Sequence, residues 1–582
     1  VFVGAAWLAM LAVGHRYVTT LASPVPFWDD LQMSPQLADG HAITLDWLWT
    51  PWNQHRIPLP KIVFLGLVGS FRDLRAGMLF EVYVLAAVAL AMVLGARKIR
   101  GHTSYADAFF PFLWLHLGCS ENLLRAFQIA LVLPIALSSA LMLTIACVRK
   151  PLGTRGALAV GTCLFLLPLC GGAGWTQVVP LALWIAIEGW RAWRARTRAA
   201  AFVLCASVAA ALAVSVAYAI GLRSEIDGRG HASGAQTLES AAAFLGMSVG
   251  PAGRETWPYP SLFVIVLCAS TVVLVVHAAR RRVDERWRAF GLLACFTGIV
   301  ALALAIGFTR GLPGGEKWTP IRYVTLAAPA LSWVYLAWSR YGSAAGSQFV
   351  RVLLFTVMAG LVLHNDEFGL VHARQRLEVA RALERDVDAG LTIDELADKH
   401  WKSFDWSRDS FAQFLGDLRQ AKFAPFDSAR ARATSDGPGT DVFASMAAKP
   451  IESRSDQPFR SARLGATPIA LMHAPGEVSF EIPPEARRFR ARYGIAPVPG
   501  AEAEAQRPDV AIRVQRVGAR PYEECLLERR LEPARVPGDR APQSFSIELP
   551  DGAGGILVLR ARNAAGRYGP ADWIFLGDVG FD

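Results

Sequence analysis

The chain is poor in charge, in paired cysteines and in lysine. Of its 582 residues only 19% are charged while 53% are apolar, whereas soluble chains carry about 25% charged residues. That deficit excludes the ordinary reading of such a length as several soluble domains. The eight cysteines form no CxxC pair and no Cys/His cluster at zinc spacing, which argues against structural zinc. Seven of them lie in or beside apolar runs, where cysteine behaves as a small hydrophobe, and Cys525 stands alone near the C-terminus, so that region has no internal disulfide. No haem or nucleotide cofactor is expected either. The formal charge of +10 and pI near 9.3 would ordinarily raise nucleic-acid binding. The charge is in the wrong place for it. Residues 1–364 hold 29 Lys+Arg against 16 Asp+Glu (+13), and residues 365–582 hold 30 against 33 (−3). The excess therefore lies in the apolar part of the chain.

What is abundant is apolar runs long enough to cross a bilayer. About eleven are expected, near 1–21, 77–95, 105–120, 127–148, 156–171, 175–190, 199–221, 260–279, 289–309, 321–338 and 348–364. The first has no small-residue cleavage site and reads as an uncleaved span. Basic clusters recur at alternate connections: Arg97 to Arg100, Arg149 to Arg155, Arg191 to Arg198, Arg280 to Arg288, then Arg340 and Arg351. The positive-inside rule makes that side cytoplasmic. An odd number of spans then sends the C-terminal region outside. The bias of 51 Arg over 8 Lys fits a GC-rich bacterial genome, and the expected location is the bacterial inner membrane with a periplasmic C-terminal domain.

The outer connections carry the candidates for chemistry. The first contains Trp28-Asp29-Asp30 and later Trp47, Trp49, Trp52-Asn53-Gln54-His55-Arg56 and Lys61. Adjacent carboxylates can bind a hard divalent cation such as Mg or Mn, or one of them can serve as general base toward a hydroxyl. His55, Arg56 and Lys61 can hold a phosphate at the bilayer surface. Trp28 and Trp52 can stack on a sugar, although interfacial belts also use tryptophan. In the second outer connection Glu121, Arg125 and Gln128 would share one helical face, as a cavity lining or as an internal ion pair. Glu81 lies within a span and is equally open. Arg322-Tyr323 open a late span where Arg322 can reach a lipid phosphate or snorkel to headgroups. The loop 222–259, with Glu225, Asp227, His231 and Glu255, is long enough for a lid. Gly246-Met247-Ser248-Val249-Gly250 fits G-x-S-x-G but lacks the strand-turn-helix setting of a nucleophile elbow.

These residues resemble the GT-C superfamily of integral-membrane glycosyltransferases. Asp29 and Asp30 match its first-loop acidic motif, Glu121 its second-loop acidic residue more loosely, and Arg322-Tyr323 an arginine-tyrosine element of aminoarabinose-transferase-like members. Asn53-Gln54-His55-Arg56 resembles an Asn-Glu-His-Arg stretch of bacterial relatives, with Gln54 in place of the acid. The resemblance covers residues 1–364. It implies a polyprenyl-phosphate sugar donor, an envelope glycan, lipid or protein acceptor, and contact with membrane lipids. Asp29 would be base or metal ligand with Asp30 in support and Glu121 as a third acid. His55, Arg56, Lys61, Arg125, Arg322 and Tyr323 would contact the donor phosphate.

Residues 365–427 read as a helical connector, with a capping box at Thr392 to Glu395, 428–464 as a linker, and 465–582 as a β-sandwich of six to eight strands. Leu557 to Arg560 followed by Asp572-Trp573 resembles carbohydrate-binding jelly rolls of the NPCBM type, which implies sugar binding or a packing role. Three other functions compete: a transporter or flippase for a lipid-linked glycan, which would place polar groups at midplane depth; a metal-independent O-antigen polymerase or ligase relying on Arg254 or His231; and a non-catalytic glycan anchor.

Overall fold

The structure is a computed structural model that describes residues 1–38, 43–52, 55–148, 152–220, 232–311, 320–428, 443, 446–455, 459–464, 467–474, 476–495, 510–517, 524–533, 535–549, 555–563 and 573–582. The chain divides into two units, Val1–Arg430 and Ala431–Asp582.

The first unit is helical. Six helices among the described residues are long and apolar enough to cross a membrane: Arg75–Arg100, Ala126–Cys147, Arg198–Ala219, Tyr259–Arg281, Val283–Thr309 and Ala344–Asp388. Phe2–Leu21 and Gly172–Arg194, of 20 and 23 residues, also have the length for a bilayer. The remaining expected spans are not continuous helices. The run 105–120 breaks into Tyr105–Ala108, Phe109–Leu115 and Leu117–Cys119, because His116 is extended at φ −67° and ψ 148°. The run 321–338 is assembled from Ile321–Tyr323, Val324–Ala327 and Pro329–Tyr341, and Pro329 supplies no amide to continue the ladder. Thr154–Leu166 ends in the short turn Leu167–Cys170, which contains Pro168. The run 348–364 is the front part of a 45-residue helix that passes position 364 without a break.

At one end of the bundle the basic clusters are knitted together by carboxylates. Arg100 pairs with buried Asp107 at 2.6 Å, and the Tyr335 hydroxyl donates to the same carboxylate at 2.6 Å. Arg100 also reaches Ser339, whose neighbour Arg340 pairs with Glu285 at 2.7 Å. Glu285 holds Arg288 as well, and Arg288 donates to the Val148 carbonyl at 3.1 Å. Arg191 pairs with Glu188 at 2.6 Å and lies 3.8 Å from the Trp287 ring centre. This layer explains how alternate connections rich in arginine can share one face.

The opposite end is positioned by the helix starts. Arg75–Arg100 and Ala126–Cys147 run side by side, with Gly77 beside Ala126 and Gly95 beside Cys147. Arg125 therefore sits at the end away from Arg100. The long helix packs against the same end: a Cβ on Gly369 would lie 2.2 Å from the Leu117 carbonyl, so only glycine permits this approach. The Tyr17 hydroxyl donates to the Gly369 carbonyl at 2.7 Å. Beyond it, Thr392 and Glu395 exchange amide contacts in the expected capping box and open the helix Ile393–His400.

The second unit has ten strands among its described residues: β1 (Glu452–Ser455), β2 (Arg460–Leu464), β3 (Thr467–His473), β4 (Gly476–Glu481), β5 (Arg488–Ile495), β6 (Val510–Val517), β7 (Glu524–Leu531), β8 (Gln543–Glu548), β9 (Ile556–Asn563) and β10 (Trp573–Phe581). They form two antiparallel sheets, in the orders β1-β4-β9-β6-β7 and β2-β3-β10-β5-β8. Strands thus begin at Glu452, within the segment 428–464 expected as a linker. Alternation fills the core with Val478, Phe480, Ile512, Val514, Leu557, Leu559, Ile574 and Leu576. Trp573 and Phe575 take the other face of β10, with Ile469. Trp573 is buried, with the Arg460 guanidinium 4.6 Å from its ring centre and His473 edge-on. Its ring is used for packing. Asp572, its partner in the jelly-roll resemblance, lies outside the described residues.

Candidate active site

The acidic pair sits on a six-residue 3-10 turn, Trp28–Met33, immediately beyond the first helix. Trp28 enters it at φ 51°, a left-handed conformation that costs a bulky residue about 1–2 kcal/mol. Asp30 is 2% exposed. Its Oδ1 accepts from the Phe127 amide at 2.8 Å and its Oδ2 from the Phe27 amide at 3.5 Å. Burial pushes its carboxyl up to about 6, opposed by the Phe127 amide and by the guanidinium groups of Arg376 and Arg125. Asp29 is half-buried, within electrostatic reach of Arg125.

Arg125 is the centre of the arrangement. Its side chain is 2% exposed and its guanidinium carbon lies 3.6 Å from the Trp28 ring centre. Glu121 Oε2 lies 3.5 Å from Arg125 Nη1 and 3.5 Å from Arg322 Nη1. One carboxylate thus faces two guanidinium groups at ion-pair distance without a hydrogen bond from either. The Arg125 Nε and Nη1 atoms have no hydrogen-bond partner. Arg322 stands on the turn Ile321–Tyr323, with its guanidinium 5.7 Å from the Tyr323 ring centre. The Thr325 hydroxyl donates to Asn122 Oδ1 at 3.0 Å and joins the two segments.

The single helical face expected for Glu121, Arg125 and Gln128 does not form. The helix Ser120–Leu123 stops, and Arg125 is extended at φ −141° and ψ 118° before the next turn. Arg125 and Glu121 still meet because the extended residue turns the chain back toward the acidic turn. Gln128 is buried at the start of the next helix.

Arg56 and Lys61 are buried and held by backbone carbonyls, while His55 beside them is exposed. Arg56 donates to the carbonyls of Trp49, Tyr218 and Ile220 at 2.5, 3.2 and 2.9 Å. Lys61 Nζ donates to the carbonyls of Trp47 and Thr50 at 2.8 and 3.0 Å. Both cations close the C-terminal ends of helices whose last carbonyls have no intrahelical partner. His55 exchanges backbone hydrogen bonds with Trp52 and lies 3.4 Å from the Tyr218 hydroxyl through Nδ1. Trp52 stacks on Phe127 at 5.0 Å between centroids. Since the Phe127 amide holds Asp30, this loop supports the acidic turn from behind. Asn53 and Gln54 lie outside the described residues.

Two residues missed in the sequence complete the surroundings. Arg376, on the long helix, places its guanidinium 4.2 Å from the Phe27 ring centre and bears on Asp30. His372, one turn earlier, is within electrostatic reach of Arg376, Glu121 and Arg125. Arg376 Nη1 and His372 Nδ1 are buried without hydrogen-bond partners. Both fell in a segment assigned to a connector. The signal was present: no proline separates the last span from the i, i+4 pair His372 and Arg376.

Other candidates fall away from this group. Glu81 is buried in its helix behind Asp30 and is coupled to it electrostatically. Glu255 pairs with His364 at 2.6 Å on an exposed surface. Ser248 is buried on the turn Met247–Val249, without a hydrogen-bond partner for its hydroxyl and hence without a base. Glu225, Asp227, His231 and residues 314–319 lie outside the described residues.

Fold and site together define a multi-pass helical membrane protein carrying an acidic turn among arginines at one end of its bundle, with a separate β-sandwich unit. No family model and no curated protein matches the chain. Its structure is similar to that of arabinosyltransferase EmbB from Mycobacterium smegmatis, solved by single-particle cryo-EM, with a TM-score of 0.28 and 13% identity over 99% of this chain. The chain spans 64% of that protein's length. A likeness of that size assigns no residue.

Proposed function

We propose that the helical unit is a membrane glycosyltransferase of GT-C type. It takes a sugar from a polyprenyl-phosphate donor and passes it to an envelope glycan, lipid or protein acceptor at the outer face of the bacterial cytoplasmic membrane, with the β-sandwich unit in the periplasm. The observation that carries this reading is the Glu121 carboxylate held 3.5 Å from both Arg125 and Arg322, beside the Asp29-Asp30 turn. Cations for a phosphate and a carboxylate for a hydroxyl are the two requirements of the reaction.

In the reaction the acceptor oxygen forms a bond to the anomeric carbon as that carbon's bond to the phosphate oxygen breaks. The phosphate departs with the electron pair, stabilised by Arg125 and Arg322. The hydroxyl proton passes to Asp29, the less buried of the pair. Asp30, fixed by the amides of Phe127 and Phe27, sets the direction of the turn. Glu121, 3.5 Å from both guanidinium groups, offsets their mutual repulsion and holds them on the same side of the turn. Phosphate is a good leaving group, so one base suffices.

The residues around the pair do not fit a protein-held Mg or Mn ion. Both Asp30 oxygens face amide donors, arginines surround the turn, and no three His, Cys, Asp or Glu side chains converge among the described residues. The test is to incubate the purified protein in proteoliposomes with polyprenyl-phosphate sugars and measure free polyprenyl phosphate. Its release in step with glycosyl transfer supports the reading. Transport of the intact donor across the bilayer, with no release, contradicts it.

A further inference from the structure

Two guanidinium groups and one imidazole near the acidic turn hold buried nitrogens without a hydrogen-bond partner among the described residues: Nε and Nη1 of Arg125, Nη1 of Arg376, and the ring Nδ1 of His372. A buried donor left unpaired costs about 1–3 kcal/mol, and more when charged. The local carboxylates do not discharge these groups, since Glu121 stands at 3.5 Å without a hydrogen bond and Asp30 is turned to backbone amides. Three guanidinium nitrogens and one imidazole nitrogen, on two segments of the chain, match an anion with several acceptor oxygens. Arg376 also lines a small cleft of about 10 Å³, with room for roughly one water, together with Leu21, Ser23, Val25, Phe27, Leu124 and Leu377. Leu21 is the last residue of the first helix, so the cleft lies where the apolar bundle gives way to the polar end. One cation and one serine among otherwise apolar side chains at that level suit the junction of a phosphate headgroup and a hydrocarbon chain.

We propose that His372 and Arg376 form, with Arg125, the cradle for the phosphate of a chain-bearing lipid phosphate, its first apolar carbons lying along Leu21, Val25, Leu124 and Leu377. The inference rests on the glycosyltransferase reading and assigns its donor phosphate to residues of the long helix. It divides the labour at the site: Arg125 spans both groups, Arg322 stands on the Glu121 side, and Arg376 receives the lipid.

The experiment measures binding of farnesyl phosphate to the full chain in nanodiscs, with farnesol and inorganic phosphate as controls. Arg376→Gln and His372→Gln are expected to weaken farnesyl phosphate binding by about tenfold or more, the loss of one charge-assisted hydrogen bond. Arg376→Lys should keep most of the affinity, and Arg194→Gln, at the opposite end of the bundle, all of it. Arg376→Gln binding at wild-type affinity overturns the inference. So does equal binding of farnesol, which has no phosphate. Dioleoyl phosphatidic acid tests the other source of a lipid phosphate: tighter binding than farnesyl phosphate overturns the donor assignment, and weaker binding supports it. Should Arg376→Gln lose global stability, the Arg376→Lys comparison still decides, because loss of affinity in a folded lysine variant contradicts a charge-based cradle. Asp29→Asn separates this inference from the reading beneath it. That variant should bind farnesyl phosphate normally, so unimpaired transfer in it sinks the glycosyltransferase mechanism without touching the cradle.

Discussion

The guanidinium carbon of Arg125 lies over Trp28, 3.6 Å from the ring centre, and Trp28 is the residue that opens the acidic turn in a left-handed conformation. A cation–π contact in a desolvated setting is worth about 2 kcal/mol, comparable to the backbone cost it offsets. The stack therefore ties the direction of the Asp29-Asp30 turn to the position of the Arg125 guanidinium.

This tie orders two substitutions against habit. Trp28→Ala loses the stack and keeps the unfavourable φ, whereas Trp28→Gly loses the stack and relieves about 1 kcal/mol of strain. Thermal unfolding in detergent should find the glycine variant at least as stable as the alanine variant. Both should lose transfer activity by about tenfold or more, because Arg125 is no longer held in place.

Removing the charge of Glu121 leaves two guanidinium groups facing each other, with side chains only 2% and 21% exposed. Breaking a buried pair from one side costs about 3–5 kcal/mol, less here because Arg322 retains solvent. Glu121→Gln should lower the unfolding midpoint and lower kcat. Glu121→Asp, which keeps the charge on a shorter arm, should recover stability more than rate. Equal stability of wild type and Glu121→Gln would contradict the bridging role.

The buried carboxyl of Asp30 gives the pH dependence a sign. Its folded value of about 6 lies above the unfolded value of about 3.9. The neutral form is favoured in the fold, so the contribution to stability is fully present below about 4 and is lost as pH rises through about 6. Two units correspond to about 3 kcal/mol. Asp30→Asn should flatten the stability profile between those limits in denaturant titrations. Transfer by the wild type should rise with pH through about 6, as the ionised turn forms.

Lys61 distinguishes scaffold from site. Its ammonium satisfies the carbonyls of Trp47 and Thr50, so Lys61→Met should destabilise the protein by about 2 kcal/mol. The KM for donor should not change in the folded fraction. A rise in KM without loss of stability would return Lys61 to the phosphate contacts.

Much of the site was legible in the sequence because its parts are local. Asp29 and Asp30 are adjacent, Glu121 and Arg125 are four residues apart, and the flanking apolar runs fix which end of the bundle they occupy. The two-sheet unit was equally visible, since alternation in Val478 to Phe480 or Leu557 to Leu559 leaves no other face for the core. What did not show was the use of each cation. Lys61 and Arg56 look like phosphate ligands in one dimension, yet in the fold both donate to the carbonyls of helix ends. Arg376 and His372 lay hidden by the opposite error. Charge density after residue 364 reads as a soluble connector, but the helix simply continues and Gly369 lets it press against Leu117. Non-local packing decides such cases, and the sequence pattern does not encode it.

The central claim is that Asp29 accepts the acceptor proton. The decisive measurement is the single-turnover rate of glycosyl transfer by Asp29→Asn at saturating donor in proteoliposomes, with folding checked by thermal unfolding. The mechanism requires a loss of at least about a hundredfold, the contribution of a general base, with prenyl-phosphate binding intact. A folded Asp29→Asn protein that transfers at the wild-type rate would contradict it.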